Sequence, residues 1–154
     1  MDGSAQRMAM GKAQVQWADS VYRAFENVRN YDAEETLPTL DSALSIFLAR
    51  KDTCRAARVD SWRSQCFDLL GQLDSAVHSA QRGLARFGPH CDSLIFMSLS
   101  VNYSNALMST GDLEQAAQVA EDALTRWNDE WPYSVARNGL YTNRAICKAM
   151  LGDM

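Results

Sequence analysis

Apolar and small residues recur along this chain at a spacing of forty. Three segments carry the pattern: YDAEETLPTLDSALSIF (Tyr31 to Phe47), GQLDSAVHSAQRGLARF (Gly71 to Phe87) and GDLEQAAQVAEDALTRW (Gly111 to Trp127). When they are superimposed, Thr36, Ala76 and Ala116 coincide, then Leu37, Val77 and Ala117, then Leu40, Ala80 and Ala120. Ala43, Gly83 and Ala123 follow, then Leu44, Leu84 and Leu124, and Phe47, Phe87 and Trp127 close the pattern. This spacing traces one stripe on a helix of 3.6 residues per turn, so each segment is predicted to be helical. Small residues within the stripe allow a neighbouring helix to come close. The polar residues Glu34, Asp41, Asp74, Gln81, Glu114 and Glu121 fall on the outer face.

The intervening stretches also read as helices. Thr53 to Leu70 carries Ala56, Ala57, Val59, Trp62, Cys66, Phe67, Leu69 and Leu70. Asp92 to Ser109 is apolar nearly all round, as a helix buried on several sides should be. The first and last helices are expected over Lys12 to Asn30 and Pro132 to Leu151. Ala24, Ser64 and Ser104 occupy one small site at the same forty-residue shift. Gly71 and Gly111 fall where paired helices reverse and a permissive backbone is needed. Pro89 and Pro132 fall where new helices should begin, and Asp92, Asn128 and Asp129 are candidate N-caps or loop residues. The repeating unit is helix, tight turn, helix. One such pair cannot bury its apolar face alone, so the pairs must stack. The expectation is an all-α solenoid of stacked antiparallel helix pairs with about seven helices. A flexible segment over 1–11 precedes a helical-repeat domain over 12–154.

These residues resemble tetratricopeptide repeats. That family places a small residue midway along its first helix, a Gly followed by a polar or acidic residue at the turn, and an Ala–Leu run on its second helix. The matching positions are Ser64, Gly71, Ala76, Gly83 and Leu84, then Ser104, Gly111, Asp112, Ala116, Ala123 and Leu124. The usual unit is about 34 residues, shorter than the spacing here. Longer repeats of this kind are similar to those of bacterial signalling proteins, such as activators of the maltose-regulator type and diguanylate cyclases with helical-repeat N-terminal regions. The resemblance covers 31–152 well and 12–30 weakly. Leu151-Gly152-Asp153-Met154 repeats the turn Thr110-Gly111-Asp112-Leu113. A helix is therefore expected to follow it, in a longer protein whose output domain lies beyond Met154. Alternatively, a second chain covers the open end in a dimer.

The resemblance implies a function as a protein-interaction or sensory module, with a peptide or protein held in a groove lined by the first helices. In the family, groove-facing Asn side chains bond an extended peptide, since an amide both donates and accepts. Asn105 and Asn143 fall on such sites. Val101 stands where the carboxylate-clamp version has Lys, so capture of an acidic C-terminal tail is not expected. Arg58, Gln65, Met108 and Phe25 complete the expected groove, with Val21, Val28, Ser61 and Asp68 beside them. The aromatics Trp17 and Tyr22, and the loop Trp131-Pro132-Tyr133, are either core packing or partner anchors.

Composition narrows the alternatives. The net charge is −4, with three lysines against twelve arginines and no basic tract, which argues against nucleic-acid binding. No apolar run reaches the roughly 18 residues of a membrane span, and the N-terminus lacks a signal-peptide core. The chain reads as cytoplasmic. Cys54, Cys66, Cys91 and Cys147 lack paired short spacings, so neither a disulfide framework nor a CxxC site is expected, and Cys66 and Cys147 read as inert core thiols. His78 lies beside the core stripe. The run His90-Cys91-Asp92 is the one candidate for a nucleophile or a metal, and consecutive side chains do not converge well on one ion. Neither a phosphate loop nor a hydrolase elbow occurs, so catalysis and cofactors are not expected of this segment.

Overall fold

A computed structural model of the chain describes residues 3–27, 32–126 and 135–152, with 3–10 and 27 described as backbone only. These residues form seven α-helices: α1 (Gly3–Asn27), α2 (Ala33–Ala49), α3 (Thr53–Leu69), α4 (Leu73–Arg86), α5 (Ser93–Thr110), α6 (Leu113–Thr125) and α7 (Val135–Leu151). The helix starts follow from local chemistry. Asp32 accepts a hydrogen bond from the Glu35 amide at 3.0 Å, and Asp52 accepts from Arg55 at 3.2 Å. Asp92 accepts from Leu94 at 2.9 Å and Asp112 from Gln115 at 3.3 Å. Each bond satisfies an amide that the first helical turn would leave orphaned. The caps recur every twenty residues, and of the five such positions only the third, Gln72, makes no side-chain cap bond. Asp92 thus takes its expected place, whereas Asn128, Asp129, Trp127 and the loop Trp131-Pro132-Tyr133 lie outside the described residues. The first helix begins at Gly3 rather than Lys12, and the described part of the last begins at Val135.

Three helix ends share one closure. The amide of Asp52 reaches the carbonyl of Phe47, that of Gln72 reaches Phe67, and that of Asp112 reaches Leu107, each at 2.9 Å. The closure needs one residue in the left-handed region. Gly71 (φ 72°) and Gly111 (φ 87°) supply it as the sequence pattern required, but at the first turn Lys51 (φ 57°) does so. A side chain there costs about 1–2 kcal/mol.

Consecutive helices run antiparallel and stack into an array. α3, α5 and α7 lie side by side, α4 packs against α3 and α5, and α6 packs against α5 and α7. α2 joins α3, and α1 lies on α2. The repeated stripe is the contact surface: Thr36, Leu40, Ala43, Ala76, Ala80, Gly83, Ala116, Ala120 and Ala123 are all buried. A methyl group on Gly83 would overlap Leu99 and crowd the Cβ of Asp60 and the carbonyl of Ala57, so helix α4 approaches α3 and α5 there as only glycine allows. Ser64 and Ser104, both without exposed surface, repeat one bond. Ser64 Oγ donates to the carbonyl of Ala76 at 2.8 Å, and Ser104 Oγ donates to that of Ala116 at 3.0 Å. Ala24, the expected third member of this set, is exposed. It lacks the hydroxyl, and α1 packs through a different face. That face carries Ala18, Val21, Tyr22 and Phe25 onto Leu44, Phe47 and Trp62. The ring of Tyr22 meets those of Phe47 and Trp62 at 6.0 and 5.2 Å, with the Arg55 guanidinium 5.5 Å above it. Trp17 stands partly exposed.

Asp60 was not legible as a core residue. It is fully buried, bonded by Arg86 and, at 3.4 Å, by Arg63, which also holds Asp41 at 2.7 Å. Burial pushes the Asp60 carboxyl up while the Arg86 and Arg63 charges pull it down.

Two substitutions test these local rules with opposite signs. Ser64→Ala removes a buried bond but leaves the Ala76 carbonyl its helical partner, so it should lower unfolding free energy by about 1 kcal/mol in a urea titration. Lys51→Gly should raise it by about 1 kcal/mol, by relieving the left-handed side chain. A pH effect follows from Tyr22. Burial, reinforced by the charge of Glu26, pushes its phenol from 10.0 to about 12. The unfolded chain releases this proton first, so the contribution is complete below pH 10 and declines as pH rises to about 12. Urea midpoints measured on either side of that window should fall more steeply for the native chain than for Tyr22→Phe.

Candidate binding face

The first helices of successive pairs, α3, α5 and α7, form one face of the array. A shallow recess of about 170 Å³ lies on it, lined by Arg58, Ser61, Trp62, Gln65, Ser98, Val101, Asn102 and Ala136. Four of the residues singled out from sequence, Arg58, Ser61, Gln65 and Val101, therefore share one site. Arg58 lies over the Trp62 ring, 5.0 Å from its centroid, which fixes a cation at the rim of an aromatic floor. Gly139 on α7 faces Val101: a Cβ there would sit 3.4 Å from both its methyl groups.

Amides join the three helices. Asn102 Nδ2 donates to both the carbonyl and the hydroxyl oxygen of Ser61, each at 2.8 Å, tying α5 to α3. Asn143 Nδ2 donates to Asn105 Oδ1 at 2.7 Å, tying α7 to α5. The sequence treated Asn105 and Asn143 as separate ligand-facing amides, but the structure bonds them to each other, and Asn143 is buried. Their pairing consumes one N–H of Asn143 and one lone pair of Asn105. The remaining N–H groups of Asn105 are donors that a peptide carbonyl can use. Asn102 had no place in the sequence reading. Its signal is only that it stands one helical turn before Asn105.

Two candidates fall elsewhere. Met108 packs against the core group of Tyr103, Leu107 and Cys147, and Phe25 packs on Trp62 with ring centroids 5.6 Å apart. Long apolar side chains at the edge of the face go to the core because burial outweighs exposure there. Val21 likewise joins the core, Asp68 is half-buried, and Val28 lies outside the described residues. His78 is exposed on the opposite side, in a depression of about 560 Å³ with Arg63, Phe67, Gln81 and Arg82. A second depression of about 550 Å³ runs between α4, α5 and α6 past Phe87, Phe96, Tyr103 and Arg126. The Tyr103 hydroxyl there accepts bonds from Gln81 and Gln115 at 3.0 and 3.1 Å. Neither depression contains a residue expected to bind.

The cysteines require a correction. Cys66 and Cys147 are buried free thiols, as expected. Cys54 and Cys91, expected to be unpaired, form a disulfide with Cα atoms 5.3 Å apart. They are 37 residues apart in sequence, so no short spacing betrays them. The repeat brings the start of α3 beside the segment before α5. In this state Cys91 offers no thiolate, which removes the nucleophile considered for His90 and Cys91.

No family model matches this chain, nor does any curated protein or solved structure. Among the described residues, no helix is long and apolar enough to cross a membrane.

The amide pair makes a direct prediction. In a double-mutant cycle of Asn105→Ala and Asn143→Ala, the two changes should be coupled by about 1 kcal/mol, the worth of one shielded bond. Additive losses would show that the pair contributes nothing to holding α7 on α5.

Proposed function

We propose that this chain is a protein-interaction module of tetratricopeptide type, which binds an extended segment of a partner protein along α3, α5 and α7 and serves in regulation or signalling. The observation that carries the reading is the recess itself. It combines a cation over an aromatic ring, Arg58 on Trp62, with the amides of Gln65 and Asn102 and an apolar wall at Val101. An extended peptide presents alternating carbonyls, amides and side chains, and this mixture answers each of them. The volume is small for an enclosed metabolite, but a recess of this kind suits one anchoring side chain. Arg58 favours an acidic or aromatic anchor on the partner.

Chemical-shift mapping against a displayed peptide library tests this. Selected peptides should shift the side-chain amides of Gln65, Asn102 and Asn105, and Arg58→Ala should weaken binding about tenfold, the worth of one charge-assisted contact. Shifts confined to α4 and α6 would remove the reading.

A second reading rests on α7. Val135, Tyr141, Ile146, Met150 and Leu151 leave apolar surface exposed on this helix, with Val135 at 84% and Met150 at 65%. A second copy of the chain meeting it there would bury that surface in a two-fold dimer. Sedimentation at micromolar concentration decides: a dimer that Met150→Glu dissociates supports this arrangement, and a monomer rejects it.

A further inference from the structure

Cys54, His90 and Cys91 come from two places in the chain, and their ligand atoms all lie within 4.8 Å of one another. His90 Nε2 is 3.9 Å from Cys91 Sγ. Two ligands of one tetrahedral zinc ion, at typical Zn–N and Zn–S lengths, stand about 3.6 Å apart, so the imidazole is already near a shared-ligand position. Its placement depends on Gly88. A Cβ on that residue would fall 2.8 and 2.9 Å from the His90 ring atoms Cε1 and Nδ1, so the ring lies folded over a position kept clear of side chain. The Cys91 amide bonds to the Gly88 carbonyl at 2.9 Å, closing the turn that presents both His90 and Cys91. Cys54 sits in the first turn of α3, where the helix N-terminus favours a thiolate. Cys91 is buried, Cys54 half-buried and His90 exposed, which leaves a solvent path to the cluster.

We propose that Cys54, His90 and Cys91 form a redox-gated zinc site. In the oxidised state the two sulfurs are bonded to each other. An external thiol pair cleaves that bond: two electrons and two protons pass to Cys54 Sγ and Cys91 Sγ, and the external pair leaves as its own disulfide. Zinc then binds the two sulfurs and His90 Nε2, displacing the two thiol protons to solvent. Two thiolates neutralise the divalent ion, and a set of two sulfurs and one imidazole selects zinc over hard cations. Three protein ligands leave the fourth position to water or to a side chain of a bound partner. Both states join the start of α3 to the segment before α5, one by a covalent bond and the other through a metal.

The test uses the whole chain, reduced with a phosphine and titrated anaerobically with cobalt(II), then with zinc. One cobalt per chain should bind with thiolate-to-metal charge-transfer absorption, and zinc should displace it. The disulfide form should show no such band. Cys54→Ser should abolish it, and His90→Asn, a change at an exposed residue, should weaken binding at least tenfold, with helical circular dichroism retained. A reduced native chain without the band would overturn the proposal and leave a plain disulfide staple. A band that survives Cys54→Ser, or undiminished affinity in His90→Asn, would place the metal elsewhere and overturn it equally.

Discussion

Close approach between paired helices is the constraint on which this structure rests. At the buried positions Ala76, Ala80, Gly83, Ala116, Ala120 and Ala123, the second helices carry side chains of a methyl group or less. Such surfaces bury little apolar area per residue, so their contribution comes from contact made at short range. The short range in turn lets Ser64 and Ser104 span from one helix to a carbonyl of the next. A larger residue in the stripe would force the helices apart, and the hydroxyl bond with them. The large side chains, Leu99, Met97, Phe96 and Trp62, sit on the first helices and fill the spaces that this approach defines.

Placing first helices next to one another has a second consequence. Their exposed faces merge into a surface on which residues about forty apart become neighbours. Ser61 and Asn102 meet this way, as do Asn105 and Asn143. Polar groups at such seams are half shielded, so each bond both joins the helices and sets which donors remain for a ligand. The proposed binding face is thus made of the same side chains that hold the pairs in register. Polar matching also operates on the other side of the array, where Asp60, Arg63, Arg86 and Asp41 link α2, α3 and α4.

Much of the fold was legible because the pattern of small and large residues records helix contact directly. The seven helices, their turns at Gly71 and Gly111, and the buried thiols Cys66 and Cys147 follow from that record. Contacts between repeats were not legible. The period states how far along the chain the next unit lies, but not how far it is rotated. Rotation decides whether Asn105 faces solvent or Asn143, and whether Cys54 faces Cys91. Ala24 shows the same limit from the other side: it keeps the register of Ser64, yet α1 turns another face inward. Asp60 was hidden for a different reason. An acidic residue on a helix reads as surface unless its arginine partners, one on its own helix and one on the next, are known to converge on it.

The linkage of Cys54 to Cys91 bears on how the array can deform. Helical stacks bend by splaying neighbouring units, much as a coil spring opens. Here the start of α3 is clamped covalently to the segment before α5, while along their length the two helices are held by noncovalent contacts, the Asn102–Ser61 hydrogen bonds and the packing of Ala57 with Ile95 and Leu99. Bending at this seam is therefore directional. It is stiff at the clamped edge and compliant at the other, so the seam opens as a door does on one hinge.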